Sequence, residues 1–242
     1  MLEQQYQLIY HRGKHDKTRG IPENSIPAFK RAIADGRGFE LDVHITADDQ
    51  IIVFHDSDLQ RMTGATGEVE DLRLEELKDL RLLDTDCHIP TLEEVLELNN
   101  GQVPMILEIK NYRKENIGRL ERILLQMLKA YPGELMIESF NPAVLVWLRK
   151  NGCPYKLGQL ASPQEDWRKN LYYKTLLFNP QVKPDFIAYY IGAIDHKLVT
   201  ACRKRKVPLV AWTIRNEAQL DKARSLCDGI IFEGIEVESW EV

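Results

Sequence analysis

The sequence predicts an α/β protein, a single-domain (β/α)8 TIM barrel over residues 1–242 with a small insertion after the second barrel strand. Three observations carry this. Short β-rich runs alternate with helical patterns almost from end to end. Helix-start signals fall directly after several of those runs. The length of 242 residues matches the usual barrel size of about 250. A doubly wound open sheet is the alternative, but no GxGxxG follows the first run.

In chain order the expected barrel strands are Gln7–His11, Phe39–Ile45, Met105–Lys110, Leu135–Phe140, Lys156–Leu160, Phe186–Tyr190, Leu209–Ile214 and Gly229–Phe232. Between them, Thr91-Leu92-Glu93-Glu94 forms a capping box. Asn141-Pro142 and Ser162-Pro163 each set a cap residue before a helix-starting proline, and Asn216 with Gln219 repeats the box logic. The run Gln50–His55 is strand-like, yet only Thr46-Ala47-Asp48-Asp49 separates it from the second barrel strand. That spacing is too short for a parallel crossover, so it should fold back as a hairpin. Residues of about 56–90 then form the insertion, with a helix over Asp71–Leu83 and with Gly64 and Gly67 in turns. Long loops on barrels commonly carry function.

Lys plus Arg number 32 against 37 Asp plus Glu, a net charge of −5, and 44% of residues are hydrophobic. Such a chain buries a substantial core, and its acidity argues against nucleic acid as a partner, which is bound by cations neutralising phosphates. Met1-Leu2-Glu3-Gln4-Gln5 has no secretory character, and no stretch approaches the roughly 20 apolar residues that span a bilayer. The expected location is the cytoplasm, with no integral membrane segment. Cys87, Cys153, Cys202 and Cys227 are dispersed, without a CxxC pair, and read as reduced and mostly buried. Nothing in the sequence specifies an oligomeric state.

Side chains alternate faces along a strand, so the second strand puts Phe39, Leu41, Val43 and Ile45 on one side and Glu40, Asp42 and His44 on the other. Glu40 and Asp42 are then about 6.6 Å apart along one face. On the third strand Glu108 and Lys110 point inward while Met105, Leu107 and Ile109 meet the helices. A single inward Glu can be neutralised by a neighbouring cation as structural glue. Glu40, Asp42 and Glu108 together, at carboxyl ends of strands, offer an all-oxygen set of the kind one divalent cation, Mg²⁺ or Ca²⁺, prefers.

His11-Arg12-Gly13 follows the first strand and His55-Asp56 the hairpin strand. A lone histidine at a strand end is usually structural; two flanking a carboxylate cluster suit proton transfer. Arg12 and Lys110 bring fixed positive charge of the kind a phosphate needs. Glu23 and Asn24 open the first helix and serve equally as cap or as site residues. Phe140 and Trp212 end the fourth and seventh strands, as core or as substrate wall. His44 lies further along the acidic face, and His15, His88 and His196 read as solvated loop or cap residues.

These residues, in this order, resemble the glycerophosphodiester phosphodiesterase family. The resemblance runs through His11-Arg12-Gly13, Pro22-Glu23-Asn24-Ser25, Ala28-Phe29, Glu40-Leu41-Asp42-Val43, Thr46, His55-Asp56, Leu59, Arg61, Thr63, Ile89-Pro90-Thr91-Leu92-Glu93-Glu94 and Leu107-Glu108-Ile109-Lys110. It continues through Ser139-Phe140-Asn141-Pro142, Trp212-Thr213 and Asp228-Gly229-Ile230-Ile231. It implies a barrel enzyme that hydrolyses a small-molecule glycerophosphodiester to an alcohol and sn-glycerol 3-phosphate with a divalent metal. Carried over by position, Glu40, Asp42 and Glu108 would be metal ligands and His11 and His55 the acid/base pair. Arg12 and Lys110 would lie at the phosphate, Glu23 and Asn24 close by, and the insertion would shape the glycerol end.

Departures fall late. Thr213-Ile214-Arg215-Asn216 lacks the Asn that often stands two residues beyond the Trp-Thr pair, and Phe232-Glu233-Gly234-Ile235 stands where Thr-Asp-x-Pro is common. The stretch Lys14–Ile21 separates the first two motifs. These bear on substrate preference more than on chemistry. Rival readings are a Schiff-base aldolase using Lys110, a zinc amidohydrolase barrel, for which no HxH pair occurs, a non-catalytic phosphodiester-binding barrel, and the same chemistry turned on lysophospholipids as a lysophospholipase D.

Overall fold

The computed structural model of the protein describes residues 2–111, 113–162, 179–195 and 197–240. Nine strands are present among them: β1 (Leu8–Tyr10), β2 (Gly38–Ile45), β3 (Ile51–Val53), β4 (Met105–Ile109), β5 (Leu135–Ser139), β6 (Lys156–Ala161), β7 (Phe186–Tyr190), β8 (Leu209–Ile214) and β9 (Gly229–Phe232). All but β3 run parallel and follow one another round a closed circle, because β1 pairs with both β2 and β9. The result is the eight-stranded (β/α)8 barrel expected from the alternating pattern. β3 folds back antiparallel on β2, with Val43 opposite Val53, as the four-residue spacing requires.

Two apolar layers make the barrel. Residues of one parity, among them Phe39, Leu41, Val43, Leu107 and Ile109, pack outward under the helices. Residues of the other parity fill the interior with Ile9, Ile106, Met136, Leu160, Phe186, Val210 and Ile231. The helix Leu92–Asn99 starts in the expected capping box, Thr91 accepting from the Glu94 N–H while the Glu94 carboxylate accepts from the Thr91 N–H. Asn141 caps Pro142–Lys150, and Asn216 caps Glu217–Leu226 by accepting from Gln219 N–H. The Ser162-Pro163 start lies at and beyond the edge of the described residues.

The insertion departs from expectation. Instead of one helix over Asp71–Leu83, it contains three single turns, Gln60–Thr63, Val69–Asp71 and Leu74–Leu77, around a small core of Ile52, Phe54, Leu59, Met62, Val69, Leu77, Leu82 and Ile89. Its leucines converge on this core from an irregular path. Leu82 N–H donates to Cys87 O and Leu83 N–H to Met62 O, and Leu83 and Asp84 take left-handed backbone conformations, which ends any helical ladder there. Gly64 terminates the first turn at φ 71°. No helix among the described residues is long and apolar enough to cross a membrane. Of the described cysteines Cys227 is buried, while Cys87 and Cys153 are half-buried.

Candidate active site

The residues with chemistry in them gather at the carboxyl ends of the strands, the face on which barrels place their active sites. After β1 the chain turns sharply through Arg12 at φ 53° and Gly13 at φ 78°. A Cβ on Gly13 would lie 3.0 Å from Ala28 and Phe29, so only glycine fits both the space and the left-handed backbone. The turn aims Arg12 into the mouth. Its N–H donates to Glu40 Oε2 at 3.0 Å, its Nη1 to Glu23 Oε1 at 2.6 Å, and its Nε stands 3.2 Å from Asp42.

The cap of the first helix, Ile26–Ala34, is Ser25, whose hydroxyl accepts from the Ala28 N–H. Glu23 and Asn24 are thereby free for the site. Asn24, at φ 52°, donates from Nδ2 to Asp42 Oδ2 at 2.8 Å, and Glu23 lies between Arg12 and Arg61, with Arg61 Nη2 2.7 Å away.

Sheet register brings the acids together. Asp42 is directly opposite Glu108, and Glu108 opposite Glu138 on the next strand. Lys110 Nζ stands 3.1 Å from Asp42 and 2.5 Å from Glu108. Oxygens of Glu40, Glu108 and Glu138 all lie within 4.8 Å of one another. Asp42 shares the layer, but its oxygens are engaged by Arg12, Asn24 and Lys110. Lys110 and Arg12 thus sit among the acids as the sequence placed them. Glu40 Oε1 and Glu138 Oε2, both buried, have no hydrogen-bond partner.

The electrostatics follow from who has a cation. Burial raises Asp42, yet Lys110, His55 and Arg12 outweigh it and hold the carboxyl well below its usual range. Burial likewise opposes the Arg61 and Arg12 contacts on Glu23, which still bring it down to about 2. Burial, with Asp42 and Glu108 beside it, pushes Glu40 well above the normal range, and burial with Glu108 does the same to Glu138. Glu108 is raised to about 7 by burial despite Lys110.

Both histidines reach the same small cavity as Glu40, Glu108 and Glu138, and each has a carboxylate on Nδ1. His55 Nδ1 is 2.6 Å from Asp56, and His11 Nδ1 pairs with Glu233 at the end of β9. Nε2 is therefore the nitrogen left for proton transfer on each ring. Burial lowers both imidazoles below the usual value, aided by Arg12 at His11 and by Lys110 at His55, which falls to about 4. Asp56 is gripped in turn by Arg61, Nε to Oδ2 at 2.5 Å, so one chain of contacts joins His55 to Glu23 and Arg12. His44 is buried beneath, its Nε2 3.2 Å from His55 O and its Nδ1 the same distance from Glu70. His15 is not a solvated loop residue: it is half-buried with Nε2 3.2 Å from Glu233. His88 is exposed against Glu94, and His196 lies outside the described residues.

Phe140 and Trp212 form the aromatic wall, ring centroids 5.5 Å apart at 86°, packed on the interior core and facing the cavity. The cavity is about 40 Å³, room for an ion or a water and not for a diester, which must sit above it.

Glu138, Asp56, Arg61 and Glu233 are the functional candidates that reading of the sequence did not assign. Glu138 had a usable signal: Met136, two residues before it on β5, is an interior core residue, so parity alone puts Glu138 inside. Glu233 stands at the acidic position of the Thr-Asp-x-Pro pattern, but its pairing with His11, 222 residues away, has no local signal.

A sequence model of the Glycerophosphoryl diester phosphodiesterase family matches residues 11–237. The chain belongs to that family. Among curated relatives, the glycerophosphodiester phosphodiesterase of Caldanaerobacter subterraneus subsp. tengcongensis is 33% identical over 240 residues, covering 93% of this chain and 92% of its own. Among solved structures, a glycerophosphodiester phosphodiesterase from Thermotoga maritima superposes with a TM-score of 0.72 at 26% identity, covering 94% of each chain. A phosphodiesterase of Oleispira antarctica, solved in complex with the product sn-glycerol-3-phosphate, gives a TM-score of 0.79 at 22% identity over 94% of this chain and 92% of its own. The phosphodiesterase family and the barrel fold are thus established together, and the homologues support glycerophosphodiester hydrolysis.

Proposed function

We propose that this chain hydrolyses glycerophosphodiesters to an alcohol and sn-glycerol 3-phosphate, with His11 and His55 as acid and base and with one divalent cation, Mg²⁺ or Ca²⁺. The observation that carries the reading is the convergence of two carboxylate-backed imidazoles on a buried cavity whose acids outnumber its cations. The residues fit a hard cation: buried carboxylate oxygens on Glu40 and Glu138 have no hydrogen-bond partner, and the cluster of Glu40, Glu108 and Glu138 offers carboxylate oxygens alone. Glu40, Asp42 and Glu108 would hold it. When bound, it supplies Lewis-acid pull on a non-bridging phosphate oxygen.

The chain's own groups do the rest. Arg12 and Lys110, fixed by ion pairs on opposite sides of Asp42, offset charge that builds on the phosphate in the transition state. One imidazole takes the proton from the nucleophile, water or the glycerol 2-hydroxyl, and the other hands a proton to the leaving alkoxide; attack by the 2-hydroxyl gives a cyclic phosphate that water then opens with the two roles exchanged. Glu233 and Asp56 hold each ring with Nε2 available. Phe140 and Trp212 shape the wall against which the rest of the substrate lies, and Glu23 and Asn24 keep Arg12 and Asp42 in place.

The test is turnover of glycerophosphocholine, glycerophosphoethanolamine, glycerophosphoglycerol and glycerophosphoinositol, each with and without chelator. Hydrolysis of at least one, lost with chelator, is expected. Wild-type-like turnover by the His11→Ala/His55→Ala double variant would end the proposal. Faster turnover of lysophosphatidylcholine than of any of the four would move the substrate to lysophospholipids.

A further inference from the structure

We infer that Glu138 is a further donor to the cation pocket, supplied by β5 beyond Glu40, Asp42 and Glu108; the inference rests on the cation-dependent reading above. Glu138 is 1% exposed and Oε2 has no hydrogen-bond partner. It stands directly opposite Glu108 in register, and an oxygen of each lies within 4.8 Å of an oxygen of Glu40. Glu138 also lines the cavity of about 40 Å³ that both histidines reach.

A purely structural carboxylate in this position would need a donor. The cations here are committed: Lys110 is shared by Asp42 and Glu108, and the Arg12 guanidinium by Glu23 and Asp42, its backbone N–H going to Glu40. The interior layer next to it is apolar, with Met136 on the same strand and Leu160 and Phe186 beyond. An isosteric apolar residue would pack there at no electrostatic cost, whereas a buried carboxylate without a partner is costly. What the site lacks is positive charge with several oxygen-seeking positions. A hard divalent ion has that chemistry, since such ions take six or more oxygens. Asp42, with Arg12, Asn24 and Lys110 already on its oxygens, is the acid with least capacity to spare, which makes an additional donor useful.

The test measures Mn²⁺ binding to full-length protein stripped with chelator, reading free Mn²⁺ by electron paramagnetic resonance, together with thermal unfolding in chelator and in Mn²⁺. For Glu138→Gln the expected result is at least a tenfold weaker Kd, with a smaller Mn²⁺-induced rise in Tm. In chelator the variant should melt at or above wild type, because it no longer buries an unpartnered acid. A merely structural glutamate would lower Tm in both conditions and leave Kd unchanged. If Glu138→Gln binds Mn²⁺ within twofold of wild type while Glu40→Gln loses it, Glu138 is not a ligand and the cation reading stands. Absence of Mn²⁺ binding by the wild type would sink both. Should Glu138→Gln fail to fold, Glu138→Asp, which keeps the charge and withdraws the oxygens by one methylene, is judged by the same Kd criterion.

Discussion

Glu23 and Asp42 on one side, Glu40 and Glu138 on the other, are four buried carboxylates at one barrel mouth with opposite electrostatics. The first two are saturated: Glu23 by Arg12 and Arg61, Asp42 by Arg12, Lys110 and the Asn24 amide. The second two each keep a buried oxygen without a partner. All four are buried and burial raises each carboxyl; what separates them is the charge alongside, Arg12, Arg61 and Lys110 at the first pair and neighbouring carboxylates at the second. The difference teaches where the protein lacks positive charge. The saturated pair fixes Arg12 and Lys110 in place, and the unsaturated pair leaves carboxylate oxygens open to an ion of the kind proposed above.

The largest expected effect comes from the imidazoles. His11→Ala or His55→Ala should each lower kcat by roughly 10²–10⁴-fold with the fold intact by circular dichroism. Their orienting carboxylates come next: Glu233→Gln and Asp56→Asn should lower kcat by about 10- to 100-fold, as loss of outer partners of a functional histidine commonly does. A shift in the pH–rate profile should accompany each. If Glu233→Gln leaves both kcat and profile unchanged, the ion pair at His11 is structural only.

On the saturated side the expected effect is on stability. Glu23 falls from its ordinary 4.5 to about 2 in the folded protein. A lowered carboxyl contributes stability that is complete above about 4.5 and disappears as pH falls toward 2, up to about 3 kcal/mol for a shift of that size. Urea unfolding of Glu23→Gln should therefore be flatter than wild type across that acid window and change little in slope above pH 5. An unchanged acid limb would mean that Glu23 carries no such charge coupling. The smallest effect is expected at Trp212→Phe, which keeps the ring and removes an indole N–H that has no partner; a modest change in KM with kcat retained would place Trp212 on the substrate wall.

Much of this was readable in the sequence because strand parity is a strict rule. Glu40, Asp42, Glu108 and Lys110 could be put inside the barrel from alternation with Leu41, Val43, Leu107 and Ile109, and register then set Asp42 against Glu108. The same rule applied to β5 reaches Glu138. What alternation could not reach is pairing over long separation: Glu233 with His11, Arg61 with Glu23, or Ser25 taking the cap that frees Glu23 and Asn24. The helix expected over Asp71–Leu83 fails for a different reason. Its leucines serve a small core assembled from β3, the Gln60–Thr63 turn and Ile89, and tertiary burial overrides local helical spacing.

The account stands on a cation among the acids of β2, β4 and β5. Anomalous diffraction from a crystal grown with Mn²⁺ tests it most directly. The account predicts one strong peak bounded by Glu40 and Glu108, within about 2.0–2.6 Å of their oxygens, beside Lys110 and below the two histidines. A crystal of active enzyme with no peak there, or with its metal at an unrelated surface position, would contradict it.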